Sequence, residues 1–140
     1  MRVAPRPTTA LVARICVAAI FLMSGIAKLV DTSGTLAHMH QAGIPAADTL
    51  VYVAAFAEIL GAIALIAGFW TRLAALGLII YLAITTLYFH DFWALTGEAQ
   101  KMQMINFMKN LAILGGLGML MSNGAGMYSV DRKIRRPVEP

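Results

Sequence analysis

Glu58 lies within an apolar run, Thr49 to Phe69, that contains no other charged residue. Three further runs carry ionisable or amide groups: Arg14 and Lys28 between Thr9 and Val30, His90 between Arg72 and Trp93, and Asn106, Lys109 and Asn110 between Met104 and Ser122. A carboxylate, two amines, an imidazole and two amides could pair as ions, pass protons or hold the carbonyl oxygens of a small amphipathic molecule. Each run is about 19 to 22 residues, which as a helix crosses a hydrocarbon core of about 30 Å. A charge inside a bilayer costs about 2.5 to 3.5 kcal/mol even on the lenient insertion scale, so these groups are expected to face one another.

Helical spacing supports that expectation. Steps of four and three align Arg14, Ala18, Phe21, Gly25 and Lys28 on one stripe of the first helix. The second helix aligns Ala54, Glu58, Gly61, Leu65 and Gly68, and the third Arg72, Leu76, Ile79, Ala83, Thr86 and His90. In the fourth, Asn106, Lys109, Ile113, Gly116 and Leu120 share a stripe with Asn110 beside them. At 1.5 Å per residue from the outer ends, Lys28 and Asn106 lie about 3 Å deep, His90 about 5 Å, Lys109 about 8 Å and Glu58 about 14 Å. One polar cluster in the outer half of a bundle is therefore predicted: Lys28, Glu58, His90, Asn106, Lys109 and Asn110. By depth, Lys109 is the first candidate partner for Glu58 and Lys28 the second. The plainer reading is a buried pair that only sets helix register.

Composition requires an apolar solvent around these helices. The 140-residue chain is 59% hydrophobic and 13% charged, with a mean hydropathy of +0.74. A water-soluble bundle needs a polar stripe on every helix, and Leu73 to Phe89 carries no charge. The predicted fold is all-α, a single membrane domain over residues 1–140 with four transmembrane helices at about 9–30, 49–69, 72–93 and 104–122. The first segment ends at Lys28 without a small-x-small cleavage site and is expected to be retained. Arg2, Arg6, Arg14, Arg72, Arg132, Lys133, Arg135 and Arg136 fall on one side, against Lys28, Lys101 and Lys109 on the other. This bias predicts cytoplasmic termini, with Asp31, Asp48, Asp91 and Glu98 outside. In the first outer loop a short interfacial helix is expected over about Ser33 to Gln41, with Pro45 opening the next span. The basic stretch at about 134–140 reads as disordered.

Other motifs narrow the function. The lone Cys16 excludes an internal disulfide and a thiolate metal cluster, and is expected to pack as a small hydrophobe. His38 and His40 are too few for a metal site, so none is expected, and Met102, Met104 and Met108 read as apolar filler. His90 beside Asp91 can be a ligand donor or simply an interfacial histidine. Gly115, Gly116 and Gly118, with the Ala57 to Gly61 step, permit close helix approach. No phosphate-binding glycine loop, nucleophile elbow or haem-attachment motif is present, and the basic residues are too few and too split for nucleic acid.

Taken in order, several landmarks resemble the DoxX family of small four-helix membrane proteins. They are Arg14 with Phe21-Leu22-Met23-Ser24-Gly25-Ile26-Ala27-Lys28-Leu29, Ala57-Glu58-Ile59-Leu60-Gly61, Gly68 with Thr71-Arg72, His90, Lys109-Asn110-Leu111-Ala112, and Gly124-Ala125-Gly126-Met127-Tyr128-Ser129-Val130-Asp131. Met127 departs from the polar or basic residue that often precedes the closing Tyr-Ser-x-Asp. Arg14, Arg72 and Asp131 are read as structural charges of the inner side. The resemblance implies an integral bundle associated with redox processes, among them a membrane subunit of a thiosulfate:quinone oxidoreductase and proteins linked to oxidative, thiol or quinone stress. It leads to a redox-associated subunit that binds a quinone or similar amphipathic molecule among the six outer residues, in a bacterial inner membrane, beside a redox partner protein or a second copy. A non-catalytic scaffold or assembly factor is the alternative, and a small-solute or proton transporter a weaker one. The single cysteine argues against dithiol relay by this chain alone.

Overall fold

The apolar runs form helices, as hydrocarbon-length segments must when no water is present to satisfy their backbone. The computed structural model describes residues 7–135 and consists of α1 (Pro7–Val30), α2 (Thr32–Gln41), α3 (Ala47–Ala67), α4 (Thr71–Phe89), α5 (Gly97–Asn123) and α6 (Val130–Arg135), with a 3-10 turn at Phe92–Ala94. There are no strands among the described residues. Four helices are long and apolar enough to cross a membrane, those containing α1, α3, α4 and α5.

Packing runs in sequence from α1 to α3, α3 to α4 and α4 to α5, with only a light contact closing α5 onto α1. The α1–α3 seam is the most extensive. Gly25 makes it possible: a Cβ there would stand 2.7 Å from Ile59 Cγ1 and 2.8 Å from the Ala55 carbonyl oxygen. Phe21, Ala62, Leu65, Leu78 and Leu117 fill the centre, and Leu, Ile and Val side chains such as Ile20, Leu60 and Ile80 face outwards. An outward apolar surface is what lipid requires.

The buried stripe of α1 is the expected one, Arg14, Ala18, Phe21 and Gly25. On α4 it is displaced by one residue over most of its length, to Thr71, Ala75, Leu78 and Leu82, so Arg72 and Leu76 are exposed, whereas Thr86 is buried as expected. On α5 only Leu117 is buried. Gly115 and Gly118 meet nothing within 4 Å, so these glycines do not serve packing within the bundle. Cys16 is exposed on the outside of α1.

Two boundaries correct the sequence reading. The fourth spanning helix begins at Gly97 rather than Met104. Its added turns are polar and bear an exposed Lys101–Glu98 pair at 2.8 Å, which allows the helix to extend beyond the apolar layer. The third stops at Phe89 rather than Trp93, and the following 3-10 turn stacks Phe92 and Trp93 edge-on against Phe107 of α5. The interfacial helix exists as α2, where the Asp31 carboxylate accepts from the Gly34 amide at 2.9 Å. Ile134 and Arg135 belong to α6 rather than to a disordered tail. Arg2, Arg6, Arg136 and the remainder of that tail lie outside the described residues.

Candidate functional site

The two ends of the bundle are built differently. At the α2 end, Lys28 and Ser24 lie four residues apart on α1 and meet Glu58 of α3. Lys28 Nζ donates to Glu58 Oε2 at 2.8 Å and to Ser24 Oγ at 2.7 Å, and Ser24 Oγ donates to Glu58 Oε1 at 3.0 Å. The Glu58 side chain is 5% exposed and that of Lys28 20%. The carboxylate is thus nearly enclosed while its partner reaches the surface. The Tyr81 hydroxyl of α4 also interacts with this carboxylate. A buried ion pair persists only where further hydrogen bonds satisfy its remaining atoms, and Ser24 supplies one to each partner.

Beside the pair is a cavity of about 830 Å³ between α1, α2, α3 and α4. Leu50, Val53 and Ile84 contribute apolar wall, and Lys28, His90 and Asn110 contribute polar atoms. An ammonium has three donors, of which Lys28 uses two, so one remains. Asn110 donates its amide to Thr86 Oγ1 at 2.9 Å, leaving its carbonyl oxygen. His90 Nδ1 is bonded to Gln103 Oε1 at 2.6 Å, which leaves Nε2. Over the mouth, α2 stacks His38 on Phe89 with ring centroids 4.9 Å apart and buries Met39 against Val51.

Of the six residues expected to cluster, Lys28, His90 and Asn110 line this cavity and Glu58 pairs behind Lys28. Asn106 is half-buried on α5 and does not line the cavity, and Lys109 is exposed. The expected first choice of partner for Glu58 is therefore corrected to Lys28. Lys109 has a suitable depth, but it stands about 100° around α5 from Asn110, the residue that faces α4. Ser24, Tyr81 and Gln103 were not foreseen. A tyrosine hydroxyl at mid-span needs a polar partner, and that signal could have identified Tyr81.

The opposite, basic end is fastened by a sealed cation. Arg14 is 1% exposed. Its guanidinium donates to the Ala125 carbonyl, to Ile66 O at 3.0 Å and to Tyr128 O at 2.7 Å. Asp131 accepts from the Trp70 and Thr71 amides at 2.7 and 3.0 Å, capping α4, and its own amide donates to Gly68 O at 2.8 Å. Gly68 has φ +69°, and a Cβ on it would stand 2.5 Å from Ser129 Cβ and 2.9 Å from the Arg14 guanidinium. Only glycine fits both the turn and that contact. Arg72 is exposed and donates to Ser122 O at 3.1 Å.

A four-span all-helical bundle with an ion pair buried at one end and an arginine fastening at the other defines a small integral membrane protein. The DoxX family model matches residues 9–91, and the chain belongs to that family. It is 37% identical over 130 residues to the inner membrane protein YphA of Escherichia coli (strain K12), covering 93% of each chain. It is 32% identical over 126 residues to the inner membrane protein YqjF of the same organism, covering 90% of this chain and 92% of the relative. No solved structure matches the chain.

Proposed function

We propose that this DoxX-family protein is a redox-associated subunit of a bacterial inner membrane that holds a quinone or similar amphipathic molecule in the cavity at the α2 end. The observation that carries the reading is the cavity itself, about 830 Å³, mainly apolar, with Lys28, His90 and Asn110 on its wall. An apolar chamber with a few convergent polar atoms suits a flat apolar ring bearing carbonyl oxygens. The residues fit such a group: the free Lys28 donor would hold a carbonyl oxygen, His90 Nε2, left as an acceptor when Nδ1 donates to Gln103 Oε1, would accept from a hydroxyl of the reduced ring, and Glu58 would fix the position of Lys28 and accept a proton. A bound quinone would carry electrons and protons together; the chain contributes placement, exclusion of water and a fixed cation. The relatives' inner membrane location and the gathering of Arg14, Arg72 and Arg132 at one end support cytoplasmic termini.

The test is titration of purified protein with a soluble quinone analogue. Lys28→Met is expected to weaken binding at least about tenfold, the value of one hydrogen bond to a charged group, and His90→Ala to weaken binding of the analogue's reduced, hydroxyl-bearing form. Lys109→Met, outside the cavity, should bind as wild type. Equal affinity in all four proteins, or no binding by any, removes the reading. The scaffold alternative draws on α5, whose spanning window is 6% buried against 22–28% in the other three. It requires a stoichiometric redox partner or second copy cross-linked through α5, with no small molecule retained.

A further inference from the structure

A second cleft, at the basic end, takes no part in that reading. It measures about 520 Å³ and lies between the first turn of α4, the end of α5 and α6, with Thr71, Arg72, Asn123, Asp131 and Arg132 among its walls. We propose that this cleft binds a phosphate group, carried by an anionic lipid headgroup or free in solution.

The charges are arranged for it. The Asp131 carboxylate is engaged with the Trp70 and Thr71 amides, at the positive end of α4. Both arginines keep capacity for an incoming anion. Arg72 donates one N–H to Ser122 O, out of the five a guanidinium has. The half-buried Arg132 side chain has no hydrogen-bond or ion-pair partner among the described residues. Guanidinium forks match the paired oxygens of a phosphate, which makes arginine rather than lysine the residue suited to this cleft. Thr71 is fully buried, and its hydroxyl has no partner, an unmet polar atom in the same wall. Trp70 borders the cleft, 62% exposed and stacked on Phe69 at 5.4 Å. An exposed indole at a helix end is typical of headgroup depth, and basic pockets between helices at that depth receive anionic headgroups.

The experiment is native mass spectrometry of the full chain in gentle detergent, titrated separately with phosphatidylglycerol, phosphatidylcholine and inorganic phosphate. Phosphatidylglycerol should be retained at least about tenfold better than phosphatidylcholine, whose phosphate is neutralised by its own choline. Arg132→Gln should weaken retention about fivefold, and Arg72→Gln with Arg132→Gln about thirtyfold. Lys133→Gln, exposed and outside the cleft, should leave it unchanged. Arg132→Gln removes no described side-chain bond, so its melting temperature should match wild type and its fivefold loss remains interpretable. If inorganic phosphate binds with the same arginine dependence and the lipid does not, the source is solution phosphate and the site stands. Equal retention of the two lipids without phosphate binding, or indifference to both arginines, overturns the proposal.

Discussion

Arg14 and Lys28 occupy the same stripe of α1, yet the bundle treats them differently. Arg14 is sealed, and three backbone carbonyls from α3 and the segment after α5 surround its guanidinium. Lys28 meets a carboxylate and a hydroxyl, remains partly exposed and borders a cavity. Carbonyl dipoles spend the donors of Arg14 on holding chain segments together. The carboxylate at the other end neutralises Lys28 while leaving it a donor to offer. A buried cation therefore serves as a fastening where backbone encloses it, and as a candidate binding group where a side-chain counterion leaves one direction open.

The contrast can be broken most strongly at Arg14. Arg14→Met strips the fastening of its donors and leaves buried carbonyls unpaired, with an expected loss of about 3 to 5 kcal/mol in detergent unfolding. Arg14→Lys should recover little, because one ammonium lacks the fork that spans the carbonyls. A loss below about 1 kcal/mol would show that the basic end is not a fastening.

At the α2 end the expected cost is smaller. Glu58→Gln leaves a partly exposed Lys28 without its counterion, for about 1 to 3 kcal/mol. The double change Glu58→Leu with Lys28→Met should recover most of that stability while binding of the quinone analogue stays lost. A double mutant as unstable as the Arg14 variant would erase the distinction between the two ends. The mildest effect belongs to Asp131→Ala, which uncaps α4 for about 1 kcal/mol, while Asp131→Asn should retain only part of the cap, because its amide offers one acceptor oxygen where the carboxylate uses two. Thermal melts of the pair measure the difference directly.

Much of the architecture was legible in the residues. Run length identifies four spans, and the four-three spacing from Arg14 to Gly25 marks the buried face of α1 correctly, because helix period and burial are coupled there. Serine, threonine and histidine around Leu36 and Met39 suffice to place α2. Depth alone could not choose between Lys28 and Lys109, since rise locates a residue along a helix but not around it. The polar row Gln103, Asn106 and Asn110, continuing through Ile113 to Leu117, marks the inner face of α5 better than the row through Lys109 does. The start of α5 was hidden because Glu98, Gln100 and Lys101 resemble loop residues once a helix leaves the apolar layer. Arg14 reads from the sequence only as an inner-side charge, and its enclosure depends on carbonyls more than 50 positions away along the chain, which no local pattern announces.

Fourteen positions separate Arg14 from Lys28, about 21 Å of helical rise. Both ends of this rod are keyed to neighbouring segments, so α1 can neither spin nor piston without disengaging one key. Inserting a single residue between Ala18 and Gly25 would swing the amine about 100° away from its carboxylate while the guanidinium stayed docked. The spacing thus acts as a torsional gauge, making chamber geometry at one membrane face answerable to an anchor at the other.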